Sequence, residues 1–137
     1  MTTIAYKDGI IAADTQVTDD TYICGRASKI MRLDDGRIMA ASGNIFRSQL
    51  FIDWLNGKIE KPVFDESFTA IVISPNGTAV EYDKNLIAAP ATIPWVAGSG
   101  SHFAFAIMHN GGTAEDAVKV ACELDIYSSA PINVVKI

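Results

Sequence analysis

Threonine at position 2, directly behind Met1, has the most specific chemistry open to it of any residue in this chain. If Met1 is removed, which a small second residue permits, Thr2 carries a hydroxyl and a free α-amine on the same residue. Such an amine has a pKa near ~7.7–8 in model compounds, so around neutral pH a sizeable share is neutral and can take the hydroxyl's proton. Nucleophile and base are then held within one amino acid, with little orientation entropy left to lose. Taken alone, Met-Thr-Thr reads first as the start of an edge strand, because Thr is a good strand former.

Other polar residues are ambiguous in isolation. Asp14 and Lys29 read as solvated surface charges, and Ser99, between Gly98 and Gly100, as part of a glycine-rich helix start. Asp125 and Ser128 read as the C-terminal turn of a helix. Cys24 and Cys122 lie far apart in sequence, and with His102 and His109 they give no metal-ligand spacing. They read as reduced, partly buried small apolar residues. No metal and no cofactor is expected.

The elements that must hold these residues begin as hairpins. Thr3 to Tyr6 and Ile10 to Thr15 flank the turn Lys7-Asp8-Gly9; Ser28 to Leu33 and Arg37 to Ser42 flank Asp34-Asp35-Gly36; Phe68 to Ser74 and Thr78 to Tyr82 flank Pro75-Asn76-Gly77. Short β-prone runs around X-Gly turns predict antiparallel pairing. Apolar residues at 3–4 spacing predict a helix over Asn44 to Asn56, with Phe46, Leu50 and Trp54 on one face and Gly57 as its stop. Ser101 is expected to cap a helix over His102 to His109, which Gly111-Gly112 ends. Thr113, followed by Glu115 and Asp116, predicts a second N-cap and a helix from about Ala114 to Leu124. A last strand runs from Ile132 to Ile137. This order suggests two sheets with helices packed outside them.

Length and composition set the frame. With 137 residues the chain is expected to form one domain, 1–137, around one core. Apolar residues make up 49% and charged residues 20%, a balance that excludes disorder. A net charge of -5 with scattered Lys and Arg repels phosphate backbones, so no nucleic acid is expected as a partner. No apolar run approaches the roughly 18 residues of a membrane helix, and no secretory leader is present, so no membrane and a cytoplasmic location are expected.

Taken in order, the motifs resemble one family. Thr2-Thr3-Ile4-Ala5-Tyr6-Lys7-Asp8-Gly9-Ile10-Ile11-Ala12-Ala13-Asp14 is similar to the start of mature proteasome β subunits, and closer still to the bacterial proteasome-like peptidase HslV. Ser28-Lys29-Ile30-Met31-Arg32-Leu33, then Arg37-Ile38-Met39-Ala40-Ala41-Ser42-Gly43 before a helix, follow the same pattern. So do Gly98-Ser99-Gly100 and Asp125-Ile126-Tyr127-Ser128. The resemblance covers nearly the whole chain. It implies an α+β, four-layer αββα sandwich of two antiparallel sheets flanked by helices, with one outer helix missing. The segment Lys58 to Glu66, with Pro62, stands where the family has a second long helix.

The resemblance also implies roles. Thr2 would be the nucleophile of a threonine-type endopeptidase, an N-terminal-nucleophile hydrolase. Lys29 would lower the pKa of the hydroxyl and amine, and Asp14 would hold Lys29 charged and oriented. Ser99, Asp125 and Ser128 would form the hydrogen-bond network around the amine. The oxyanion donor falls on the backbone N–H of Ala40 or Ala41. Val17, Ala27, Met31 and Ile38 or Met39 correspond to the primary pocket, which implies apolar side chains before the scissile bond. Partners would be a peptide or unfolded-protein substrate and a homo-oligomeric ring, with the ATP-driven unfoldase left in doubt by the missing helix. A catalytically silent structural subunit and a hydrolase of non-peptide amides are the competing readings.

Overall fold

A computed structural model describes residues 2–19 and 21–137. Met1, whose removal the chemistry of Thr2 requires, lies outside the described residues. In chain order the elements are β1 (Ile4–Lys7), β2 (Ile10–Ala13), β3 (Gln16–Asp19), β4 (Tyr22–Arg26), β5 (Ile30–Arg32), β6 (Ile38–Ser42) and α1 (Ile45–Leu55). They continue as β7 (Thr69–Ile73), β8 (Ala79–Tyr82), β9 (Ala88–Pro90), β10 (Trp95–Ala97), α2 (Ser101–His109), α3 (Ala114–Leu124) and β11 (Asn133–Lys136). One sheet has the order β10-β1-β2-β11, a second the order β5-β6-β7-β8-β9, and β3-β4 form a separate ribbon. All pairings are antiparallel.

The strand period of two distributes the side chains into layers. Ile4 and Tyr6 of β1 and Ile11 and Ala13 of β2 meet Ile38 and Ala40 of β6 and Ile71 and Ile73 of β7 in the core between the two large sheets. Their alternating neighbours point outward. Ala5 and Ala12 pack under Ala104 and Met108 of α2 and Ala117 and Val118 of α3. Met39, Ala41, Ala70 and Val72 pack under Phe51 and Ile52 of α1. Helix, sheet, sheet and helix thus stack in four layers, as the α+β reading expects. Alanine at the paired positions Ala5 and Ala12 leaves room for two helices to approach the sheet.

Local signals account for most boundaries. Lys7 and Ile10 are register partners, and the two residues between them, Asp8 and Gly9, have φ of 52° and 74°. Both are positive, the geometry of the hairpin turn that Asp-Gly favours. Asn44 caps α1 by accepting from the Phe46 N–H at 2.8 Å. Thr113 and Asp116 form a reciprocal capping box on α3. On α2 the expectation needs correcting. Gly100 is the N-cap, without a side-chain bond, and Ser101 is the first helical residue. Residues 60–65 contain neither helix nor strand, so the sheet bearing β6 and β7 carries α1 as its outer helix among the described residues. Phe64 and Phe68 fill the space beside it against Phe51. Among the described residues, no helix is long and apolar enough to cross a membrane.

The ribbon β3-β4 and the short strands β9 and β10 were not expected. Residues 16–26 alternate weakly, and a register shift between Val17 and Thr18 breaks the pattern. β9, which ends in Pro90, and β10, which follows Pro94, have three residues each, too few for periodicity to register.

Candidate active site

Asp14 follows the last residue of β2, and its side chain turns inward with no exposure. Its Oδ1 accepts from the Thr3 N–H at 3.0 Å and from Lys29 Nζ at 2.7 Å. Its Oδ2 accepts from the N–H groups of Gln16 and Ser129, both at 3.2 Å. A carboxylate this deep would be costly without partners, and these donors satisfy it. Lys29 stands immediately before β5 and is 9% exposed. Burial pulls its ammonium below the usual lysine range, while the charge and hydrogen bond of Asp14 work against that pull.

A second carboxylate sits across the same dipeptide. Asp125 Oδ2 accepts from Ser99 Oγ and Ser128 Oγ, each at 2.6 Å, and Oδ1 from the Tyr127 N–H at 3.3 Å. Ser128 has one hydroxyl hydrogen, and it goes to the carboxylate. Thr3 Oγ1 therefore donates to Ser128 Oγ across their 2.7 Å contact. Thr2 and Thr3 thus lie between two acidic groups, Asp14 with four donors and Asp125 with three. Among the described residues every buried side-chain nitrogen and oxygen has a partner.

The Gly-Ser-Gly turn explains how the strand start is gripped. The Thr2 carbonyl accepts from the Gly100 N–H at 3.3 Å, and Ser99 Oγ approaches it at the same distance. A Cβ on Gly98, whose φ is +94°, would stand 1.9 Å from the Thr2 oxygen; one on Gly100 would stand 1.9 Å from Thr3 Oγ1. Only glycine permits the turn to close over Thr2 and Thr3 at this distance.

Thr2, 3% exposed, and Lys29 both line a cavity of ≈ 380 Å³. Ala27, Met31, Met39 and Ala41 contribute its apolar wall, with Ile45 and Phe46 from the first turn of α1. A neighbouring cavity of ≈ 390 Å³ shares Thr2, Lys29, Ile45 and Phe46 and takes Gln16, Val17, Thr18 and Cys24 from the ribbon. Of the candidate pocket residues, Ala27, Met31 and Val17 therefore stand beside Thr2. Ile38 does not: it lies in the inter-sheet core, and its neighbour Met39 faces the cavity, as strand alternation requires. By the same alternation Ala40 packs between the sheets and Ala41 borders the cavity. Sequence reading missed Gly43, Ile45 and Phe46, which border both cavities. Two large apolar residues opening a capped helix, ahead of its inward face, were the signal for them.

Burial also lifts the Cys122 thiol to about 11, so it stays neutral behind the site. Among the described residues no cluster of His, Cys, Asp and Glu is arranged to hold a metal ion.

No protein-family model matches the chain, and no curated protein matches it. Solved structures do. The eukaryotic HslV from Trypanosoma brucei superposes with a TM-score of 0.73 at 19% identity, over 99% of both chains. The BPH of Thiobacillus denitrificans superposes with a TM-score of 0.71 at 18% identity, over 99% of this chain and 96% of that one. Bound to epoxomicin, the same BPH gives a TM-score of 0.71 and covers 97% of that chain. The fold is therefore the one shared by HslV and the Thiobacillus BPH.

Proposed function

We propose that the chain is a threonine-type endopeptidase whose nucleophile is Thr2 once Met1 has been removed. The observation that carries this reading is the placement of Thr2 and Lys29 on one apolar cavity, with Lys29 ion-paired at 2.7 Å to a fully buried Asp14. A surface pair would have neither the burial nor the additional donors on Asp14.

In this mechanism the neutral α-amine takes the proton of Thr2 Oγ, and Oγ attacks the carbonyl carbon of the peptide. The Lys29 ammonium stabilises negative charge on Oγ. A backbone N–H of Ala40 or Ala41 receives the developing oxyanion, with Ala41 at the cavity wall. Collapse breaks the C–N bond as the amine's proton passes to the leaving nitrogen. Water, deprotonated by the same amine, then hydrolyses the ester on Thr2. Ser99, Asp125 and Ser128 orient the groups around the amine. Met31, Met39, Ile45 and Phe46 favour an apolar side chain before the scissile bond. The same reading includes one domain over 1–137, a cytoplasmic location and assembly into a homo-oligomeric ring that confines the sites; an ATP-driven unfoldase is not required by it.

Intact mass together with turnover of apolar fluorogenic peptides tests the proposal. Loss of Met1, and activity that disappears in Thr2→Ala, are expected. Retained Met1, or equal activity in the mutant, would overturn the proposal; absence of turnover in both would leave the chain a silent structural subunit of the same fold. Epoxomicin, bound in the Thiobacillus structure, is expected to suppress turnover here as well.

A further inference from the structure

Ser129 sits where several parts of the molecule meet. Its N–H donates to Asp14 Oδ2 at 3.2 Å, and its carbonyl accepts from the Thr15 N–H at 3.3 Å. Its hydroxyl donates to Gln16 Oε1 at 2.6 Å and accepts from Arg26 Nη1. Arg26 has no acceptor, so the hydroxyl's one hydrogen goes to Gln16 and the chain of donors runs from Arg26 through Ser129 to Gln16.

Gln16 and Arg26 are register partners at the base of the ribbon. Gln16 is buried; its amide nitrogen donates to Thr18 Oγ1 at 2.9 Å and to the Ile126 carbonyl at 3.4 Å. Its N–H donates to Asp14 Oδ2 at 3.2 Å. The next residues of the same strand, Val17 and Thr18, line the cavity that holds Thr2 and Lys29. Both donors on Asp14 Oδ2 therefore belong to a bridge that ends in the cavity wall. At 3.2 Å they are near the long end of the hydrogen-bond range, so a shift of a few tenths of an ångström weakens them steeply.

We propose that Gln16, Arg26 and Ser129 are positioning residues that tie the β3-β4 ribbon to the Asp14 carboxylate, so that a peptide seated against the ribbon firms the Asp14–Lys29 pair beside Thr2. The inference rests on the peptidase reading and extends it: the substrate-facing ribbon and the ion pair behave as one mechanical unit. Arg26 is the point at which to cut, because it is exposed and its loss leaves the core packed.

The test compares wild type, Arg26→Ala, Arg26→Lys and Ser129→Ala by steady-state turnover of a short apolar peptide. In parallel, NMR of protein labelled at lysine Cε follows the titration of Lys29. Loss of the charge-assisted bond is expected to lower kcat about five- to tenfold with KM changed less than about twofold, and Arg26→Lys to recover most of it. The Lys29 titration is expected to move to lower pH in Arg26→Ala. Among the described residues, the titratable groups acting on Lys29 include Asp14, Asp125 and Cys122, and the last stays neutral. An unmoved Lys29 titration overturns the inference, as does a kcat within twofold of wild type. The NMR arm needs no turnover. An inactive wild type would thus remove the peptidase reading while Lys29 still decides on the bridge.

Discussion

The polar belt around Thr2 and Thr3 and the cavity wall beside it are built on opposite terms. In the belt Asp14 is fully buried and Asp125 nearly so, and both oxygens of each carboxylate accept from backbone N–H groups, hydroxyls or Lys29. In the wall, Phe46 is 74% exposed, and Ile45 and Met31 are also exposed. The belt is held by directional bonds in a dry environment, where each lost partner leaves a desolvated group. The wall is held by nondirectional contact that other apolar shapes can replace. Reacting groups need the first kind of order, and a surface that receives varied side chains tolerates the second.

The contrast predicts steep losses in the belt. Lys29→Ala should lower turnover by on the order of 10²–10⁴ while the protein still folds, because Asp14 keeps its backbone donors. Near-normal turnover in that variant would contradict the role given to Lys29. Gly98→Ala should come next. A methyl 1.9 Å from the Thr2 carbonyl, at a φ of +94°, forces β1 or the turn to move. The left-handed conformation alone costs about 1–2 kcal/mol, and the clash adds to it. Denaturant unfolding would show the loss, and an unchanged midpoint would show that the turn has slack.

Asp14→Asn removes the charge and turns an amide NH2 toward two donors. It removes the nearest anion from Lys29, whose pKa is already lowered by burial, so the pKa should fall further. Activity that needs charged Lys29 is lost as pH rises through that pKa, and the alkaline limb of the pH–rate profile should move down. A limb that stays in place would assign it to another group. Met39→Ala should leave kcat for small side chains close to wild type and raise KM for bulky apolar ones by about tenfold, roughly the worth of one or two buried methylenes. The smallest effect belongs to Phe46→Ser. With its ring largely in water, thermal stability should change by no more than about 0.5 kcal/mol, measurable as a small melting shift. A large drop would mean that the wall packs more like the belt than its exposure implies.

Much of this was legible without coordinates. Asp-Gly between two β-prone runs specifies its hairpin through the positive φ that these residues accept, and Asn44 and Thr113 specify helix starts through the donors they satisfy. Sequence also named Asp14, Lys29, Ser99, Asp125 and Ser128, the five polar residues now found around Thr2 and Thr3, but by the order of motifs rather than by any chemical reason for their meeting. Asp125 and Ser128 read as the end of a helix; Asp125 is the C-cap of α3 and Ser128 closes the turn after it, and nothing local said that Thr3 would be there. The β3-β4 ribbon was missed because β4 is largely exposed along both faces and the buried residue of β3 is the polar Gln16, so no hydrophobic alternation marked them.

Local chemistry settled what each short segment could be: hairpin, capped helix, tight glycine turn. Tertiary structure decided which faces met. Packing one residue further along β6 separates Ile38 in the core from Met39 in the cavity, and sequence spacing could not choose between the two. It also turned Asp14 and Lys29 from surface charges into a buried pair. Burial is a property of the surroundings, and those surroundings include residues as far away in sequence as Ser129, 115 positions from Asp14.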